Sequence, residues 1–288
     1  MVDDATATMF AGLVGMVKRL ASGEMIAAEP RSAATVVLLR DRDGGPEVYL
    51  LRRTPTMAFA AGFFVFPGGS VDPRDESLPD RAWVGPPPAV WATTLGCDEP
   101  RARALICAAV RETFEESGVL LAGERAGQVV ADTSGDDWEA DRVALLDRSL
   151  SLAELLERRG LVLRADLLRL WSHWITPEVE PKRFDTRFFV AVMPEGQHTR
   201  DVGGEADRVT WVTASDALAA NQAGAMAMLP PTVNALGDLA SYPSAAAVMA
   251  AADSRVVEPV MPKLLLDEED RIRFLLPGDP DYPLEATT

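Results

Sequence analysis

This chain is short of positive charge. Its 288 residues include 28 lysines and arginines against 44 aspartates and glutamates, a formal net charge of −16. Binding to nucleic acid without sequence preference needs Lys and Arg to displace counterions from phosphates, so this balance excludes a nucleic-acid partner. It argues equally against docking on an anionic membrane. An anionic substrate would have to find positive charge locally, and a divalent metal held by carboxylates would supply it. Cysteine is scarce. Cys97 and Cys107 do not form a C-x-x-C pair, which excludes a disulfide scaffold and suits a reducing compartment. No apolar run approaches the roughly 20 residues of a membrane span. Met1-Val2-Asp3-Asp4 has the wrong charge for a secretory signal, and Glu285-Ala286-Thr287-Thr288 carries no peroxisomal or retention tail. The expected location is therefore cytoplasmic. G-x-S-x-G, H-E-x-x-H, the P-loop and G-x-G-x-x-G are all missing, which removes the commonest hydrolase and nucleotide-binding signatures.

The rest of the composition is that of a folded protein, with 48% hydrophobic and 25% charged residues. Residues 4–24 place Phe10, Leu13, Val14, Val17 and Leu20 on one helical stripe. From Ala33 the pattern turns to strands, ATVVLLRDRD then EVYLLRR, followed by the short FFVF and a tight Pro67-Gly68-Gly69 loop. Residues 73–100, rich in Pro, Asp and Gly, read as a long loop or lid. Pro100 opens a strong helix that Gly118 closes. Residues 137–169 suggest two or three short helices. LWSHWIT and RFDTRFFVAVMP suggest a strand pair, 207–213 a strand, 214–223 and 230–252 helices, and KLLLDEEDRIRFLL a terminal hairpin. This mixture predicts an α/β or α+β class. The expected organisation is an extension over 1–32, a domain over 33–223 with insertions at about 73–100 and 122–168, and helices and a hairpin over 224–288 packed on the same domain.

The residues that carry chemistry lie on the Pro100–Gly118 helix. Glu112, Glu115 and Glu116 stand at i, i+3 and i+4, so three carboxylates share one face and repel. A hard divalent cation reverses that sign, because it takes oxygen ligands. Arg111 is one turn before Glu115 and can fix its rotamer. A Glu-rich helix face is usually a solvated one, but Ala104, Leu105, Ile106, Ala108 and Val110 make this a core helix.

At this point the residues resemble a known family. Arg111-Glu112-Thr113-Phe114-Glu115-Glu116-Ser117-Gly118-Val119 is similar to the second half of the Nudix box, G-x5-E-x7-R-E-U-x-E-E-x-G-U, with Thr113 where an aliphatic residue is usual. Phe66-Pro67-Gly68-Gly69 resembles the loop that starts the box. The spacing departs from the family: Gly69 and Arg111 are 42 positions apart where the box uses 14, an insertion of about 28 residues. Asp75 sits at the distance of the first-half Glu from Gly69, whereas counting back from Arg111 reaches Arg103. One subgroup carries such an insertion, the peroxisomal-type coenzyme A diphosphatases. PGGSVDP, FEESGVLL and the late LPPT resemble it too.

The resemblance implies a mixed β-sheet sandwiched between helices, with helical insertions. It implies hydrolysis of a small nucleotide-type substrate with Mg²⁺ or Mn²⁺, giving 3′,5′-ADP and (acyl-)4′-phosphopantetheine if the substrate is coenzyme A or its acyl form. Carried onto this chain, Glu112, Glu115 and Glu116 would be metal ligands with the Gly68 carbonyl. Arg111 would orient them, and Glu112 or Glu205 would act as the base. Glu178, Glu180 and Asp185 are weaker candidates for that last role. Arg53, Gly69 and Arg183 are the candidate substrate contacts. The coenzyme A motif upstream of the box is only partly matched, since its second Arg is replaced by Ala58 and Thr54 stands where Ser or Ala is usual. Two other readings follow: a Nudix hydrolase for dinucleotides or nucleotide sugars such as NADH and ADP-ribose, and a ligand sensor without turnover. Trp83 and Trp91 would either cover a substrate or anchor the insertion. His173, between Trp171 and Trp174, reads as a packed residue, and nothing beyond loop position supports His198. Family members are often dimers, and the N-terminal stripe and C-terminal hairpin are the candidate interfaces of a homodimer.

Overall fold

Val36, Val37, Leu38 and Leu39 are consecutive, apolar and fully buried, as in a strand covered on both faces. The computed structural model describes residues 4–42, 45–54, 60–124, 127–200 and 206–283. In chain order its elements are α1 (Asp4–Ala21), β1 (Arg31–Arg42), β2 (Gly45–Arg53), β3 (Phe64–Val65), β4 (Gly68–Ser70), β5 (Trp83–Val84), α2 (Pro88–Leu95), α3 (Glu99–Ser117) and β6 (Ala122–Gly123). There follow α4 (Asp136–Leu146), α5 (Leu152–Arg159), β7 (Val162–Arg164), β8 (Arg169–Ile175), β9 (Phe184–Val192), β10 (Ala206–Thr213), α6 (Ala214–Gln222), α7 (Pro230–Leu239), α8 (Ala245–Asp253), β11 (Pro259–Val260), β12 (Lys263–Leu266) and β13 (Ile272–Leu275).

The main sheet runs β10-β2-β1-β9-β8-β11, with β3 on β2 and β4 on β1. β1 is antiparallel to β2 and β4, and β10 to β2, whereas β11 joins β8 in parallel, so the sheet is mixed. With eight helices among the described residues, the class is the mixed α/β one expected.

The chain forms two compact units. The larger comprises 33–172 and 187–257, the smaller 1–32, 173–186 and 258–288. In the larger unit, Leu105, Ile106, Val110 and Phe114 of α3 join Val36, Leu38, Tyr49 and Leu51 in one apolar cluster. That helix starts at Asp98, which accepts the Arg101 N–H, with Pro100 in its first turn. It stops at Gly118, whose φ of 75° is left-handed. In the smaller unit, Val17 is buried, and Leu20 lines an apolar cavity with Leu264 and Leu265 of the β12–β13 hairpin.

The stretch 73–100, read above as a long loop, is instead built. Asp72 and Asp75 form a capping box on a 3-10 turn at Pro73–Ser77. Pro88, from the run that suggested a loop, starts α2, where a missing N–H does no harm. Trp91 is buried edge-on against Phe189, and the Trp83 N–H donates to the Pro86 carbonyl with Arg103 over its ring. Both tryptophans thus fasten this insertion down. Its β5 pairs with β7, and β7 with β6, so the two insertions share a small sheet. Among the described residues no helix is long and apolar enough to cross a membrane.

Candidate active site

A buried arginine organises the site. Arg111 stands near the C-terminal end of α3 and its side chain is 10% exposed. Nε and Nη2 grip the two Asp75 oxygens at 3.1 and 3.0 Å, a two-pronged bond. Nη2 also donates to the Ser70 carbonyl at 2.9 Å, and Nη1 donates to Glu112 at 2.7 Å and to both oxygens of Glu115. Burial works against the guanidinium charge, but Glu112, Asp75 and Glu115 around it hold it firmly protonated.

The two glycines, expected in a tight loop, lie in strand β4 beside β1 and meet the helix from there. The Gly68 N–H donates to Glu116 Oε2 at 2.8 Å. A Cβ on Gly69 would lie 2.5 Å from Glu112 Oε1, and one on Gly68 would lie 2.6 Å from the Ala34 carbonyl oxygen. The two glycines therefore fail differently. Gly69→Ala displaces only the end of a flexible carboxylate. The expected result is a melting temperature within about 2 °C of the unaltered protein and turnover down about 10²-fold, because 1 Å of misplacement has that effect. Gly68→Ala pushes on strand backbone and is expected to lose about 1–3 kcal/mol in a urea titration. Full activity in Gly69→Ala would remove Glu112 from the mechanism.

The structure thus brings together Arg111, Glu112, Glu115, Glu116, Gly68 and Gly69. It adds Asp75, for which the Gly69-x5-Asp75 spacing was the available signal. Three carboxylates, Asp75, Glu112 and Glu115, meet one guanidinium, and Glu116 is held by the Gly68 N–H. Burial pushes Glu112 up to about 7, Arg111 opposing and Glu115 adding to the push. Burial likewise raises Asp75, against the bonds from Arg111. A buried excess of oxygen donors and negative charge suits a hard divalent cation. Among the described residues no three acidic or His/Cys side chains stand as a ready-made cage, since Arg111 and Gly68 hold the glutamates here.

The other candidates have contacts of their own. Arg53 is half-buried on β2, its N–H donating to the Phe63 carbonyl where the chain turns toward β3. Arg183 is buried in the smaller unit, with all three guanidinium nitrogens on protein partners: the Thr176 and Ala28 carbonyls and the Met261 sulfur. His173 is paired with Asp185 and Glu178 with Lys263, also in the smaller unit, and His198 is exposed. Glu205 and Ala58 lie outside the described residues.

Comparison with known proteins places this geometry. A family model described as the NUDT19 Nudix domain matches residues 88–239, more than half of the chain. The chain is 28% identical to an acyl-coenzyme A diphosphatase NUDT19 of Gallus gallus, over 88% of this chain and 80% of that protein. It is 27% identical to a putative nudix hydrolase 7 of Caenorhabditis elegans over 70% of this chain, and spans 58% of that protein's length. A solved NUDIX hydrolase from Alicyclobacillus acidocaldarius superposes with a TM-score of 0.68 at 31% identity, covering 81% of this chain and 99% of that one. By the box residues gathered on Arg111 and by these matches, the chain belongs to the Nudix hydrolases, enzymes that split diphosphate linkages.

Proposed function

We propose that this protein is a metal-dependent diphosphatase acting on coenzyme A or acyl-coenzyme A, releasing 3′,5′-ADP and 4′-phosphopantetheine or its acyl form. The observation that carries the chemistry is the face of α3, where Glu112, Glu115 and Glu116 are held by Arg111 and the Gly68 N–H. The likeness to NUDT19 supports the substrate class. Glu112, Glu115 and Glu116 would hold Mg²⁺ or Mn²⁺, with the Gly68 carbonyl. Bound there, the cation would neutralise charge that builds on the diphosphate. Arg111 fixes the rotamers of Glu112 and Glu115, so the donors are placed before substrate arrives. Glu112 or Glu205 accepts the proton of the attacking water. The water oxygen bonds to one phosphorus as the bridging P–O bond breaks, and the leaving phosphate takes the electron pair. Arg53 and Gly69 are the proposed substrate contacts.

The experiment is a competition. Purified protein is incubated with Mg²⁺ or Mn²⁺ and a mixture of coenzyme A, acetyl-coenzyme A, NADH and ADP-ribose, and products are read by mass spectrometry. Release of 3′,5′-ADP, abolished by EDTA, is the expected result. Preferential cleavage of NADH or ADP-ribose would keep the chemistry and overturn the substrate, as the replacement of the motif's second Arg by Ala58 allows. No cleavage of any compound, with ligand-induced stabilisation alone, would make the protein a sensor.

A further inference from the structure

The helix that carries the glutamates ends badly by its own sequence. Its last turn holds Glu115 and Glu116 and no basic residue. The C-terminal end of a helix carries partial negative charge and leaves carbonyls without intrahelical donors. Two carboxylates there compound the defect, and fraying would move the very groups the reaction needs.

The missing charge and donors come from outside the helix. Arg142 of α4, with a side chain only 4% exposed, donates from Nη1 to the Glu115 carbonyl at 2.8 Å. Its other two nitrogens grip Glu139 at 2.9 and 2.5 Å. Glu139 also accepts from Arg200 at 2.8 Å. The Arg200 N–H donates to the Ser117 carbonyl at 3.0 Å, and its guanidinium reaches the Thr133 carbonyl. The Thr133 hydroxyl donates to the Gly118 carbonyl at 2.7 Å. Gly118 lets this happen, because a Cβ there would lie 2.8 Å from the Arg200 side chain. Phe114 meets Trp138 edge-on, adding an apolar contact between α3 and α4. The Glu115, Ser117 and Gly118 carbonyls at the helix end are thus capped by the 122–168 insertion and by Arg200.

We infer that Arg142 is a positioning residue: with Glu139 and Arg200 it forms a brace that clamps the last turn of α3 and so holds Glu115 and Glu116 in place. The 122–168 insertion is then part of the catalytic machinery through the helix it stiffens, without touching substrate. This rests on the proposed function only where metal binding is read.

The test uses full-length Arg142→Ala, Arg142→Lys and Glu139→Gln with two readouts. The first is hydrogen exchange of backbone amides. In Arg142→Ala, protection over residues 114–118 is expected to fall about tenfold while the first turns of α3 are unchanged. The second is Mn²⁺ binding followed by electron paramagnetic resonance, where the dissociation constant is expected to rise at least about tenfold. Arg142→Lys restores a charge and one donor but cannot grip Glu139 with a fork, so it should recover part of both. Should Arg142→Ala not fold, Glu139→Gln, altered at a 39% exposed side chain, carries the same expectations at smaller size. Unchanged protection over 114–118 in the folded variants overturns the brace whatever happens to metal. Failure of the unaltered protein to bind Mn²⁺ would sink the proposed function, leaving the exchange data to decide the brace.

Discussion

Glu116→Gln is expected to lower turnover at least about 10³-fold while the protein melts at an unchanged or slightly higher temperature. The amide oxygen of glutamine can still accept the Gly68 N–H that Glu116 Oε2 accepts at 2.8 Å, so the loop and helix stay joined. What disappears is one negative charge from the helix face on which Glu112 and Glu115 share the guanidinium with Asp75. Losing it relieves repulsion in the resting protein and removes a ligand for the cation that catalysis needs. The magnitude follows from the effect of deleting one group that stabilises developing charge, about 10²–10³, enlarged here by weaker metal binding. Steady-state turnover beside a melting curve checks it. Turnover like that of the unaltered protein would remove Glu116 from the chemistry and with it the proposed mechanism.

Arg111→Met is expected to behave in the opposite way, damaging the fold as much as the activity. Its guanidinium holds Asp75, Glu112, Glu115 and the Ser70 carbonyl together. Without it, Asp75, whose side chain is 2% exposed, and the glutamates are left buried and uncompensated. Breaking a buried ion pair by removing one partner has an effect of about 3–5 kcal/mol, which for a chain of this size lowers the melting temperature by about 10 °C. Lysine should not rescue it, since one ammonium cannot span Asp75 and the glutamates at once. Millimolar Mn²⁺ should recover part of the loss by supplying the missing positive charge. A melting temperature within about 2 °C of the unaltered protein, without added metal, would show that the cluster is solvated rather than buried.

The site was legible in sequence to the extent that it is local. Arg111, Glu112, Glu115 and Glu116 share one helix, Pro100 and Gly118 mark its ends, and a 3.6-residue period puts the glutamates on one face. Gly68 and Gly69, expected in a tight loop, instead form strand β4 against Ala34 and Thr35 of β1, an extended pairing that glycine does not announce. Asp75 was only half legible. Its distance from Gly69 fits the box, but its partner Arg111 is reached by tertiary closure, and no spacing rule reports which residue lies across such a closure. The stretch 73–100 misled because Pro86-Pro87-Pro88 reads as a breaker, whereas Pro88 occupies a first-turn position where proline is welcome. Nothing local showed that Arg183 would donate to the Thr176 and Ala28 carbonyls, or that Arg142 would reach the end of α3 from another helix. Long side chains take whichever partner packing supplies, and sequence records the charge without the address.

Asp75 and Arg111 are 36 positions apart, and the two-pronged bond between them closes the interrupting segment at its base. Holding the ends of a loop together has an entropic cost that grows only with the logarithm of its length, about 0.6 kcal/mol for each doubling. Once the base is pinned, lengthening the segment at an exposed turn such as Asp80-Arg81 changes stability little, whereas trimming would cut into the core that Leu78, Trp91 and Leu95 share with α3. The pin itself has no such latitude. This part of the chain is therefore a port at which new sequence can be spliced without retuning the chemistry beside it, a place where a binding surface could be grafted onto a working hydrolase.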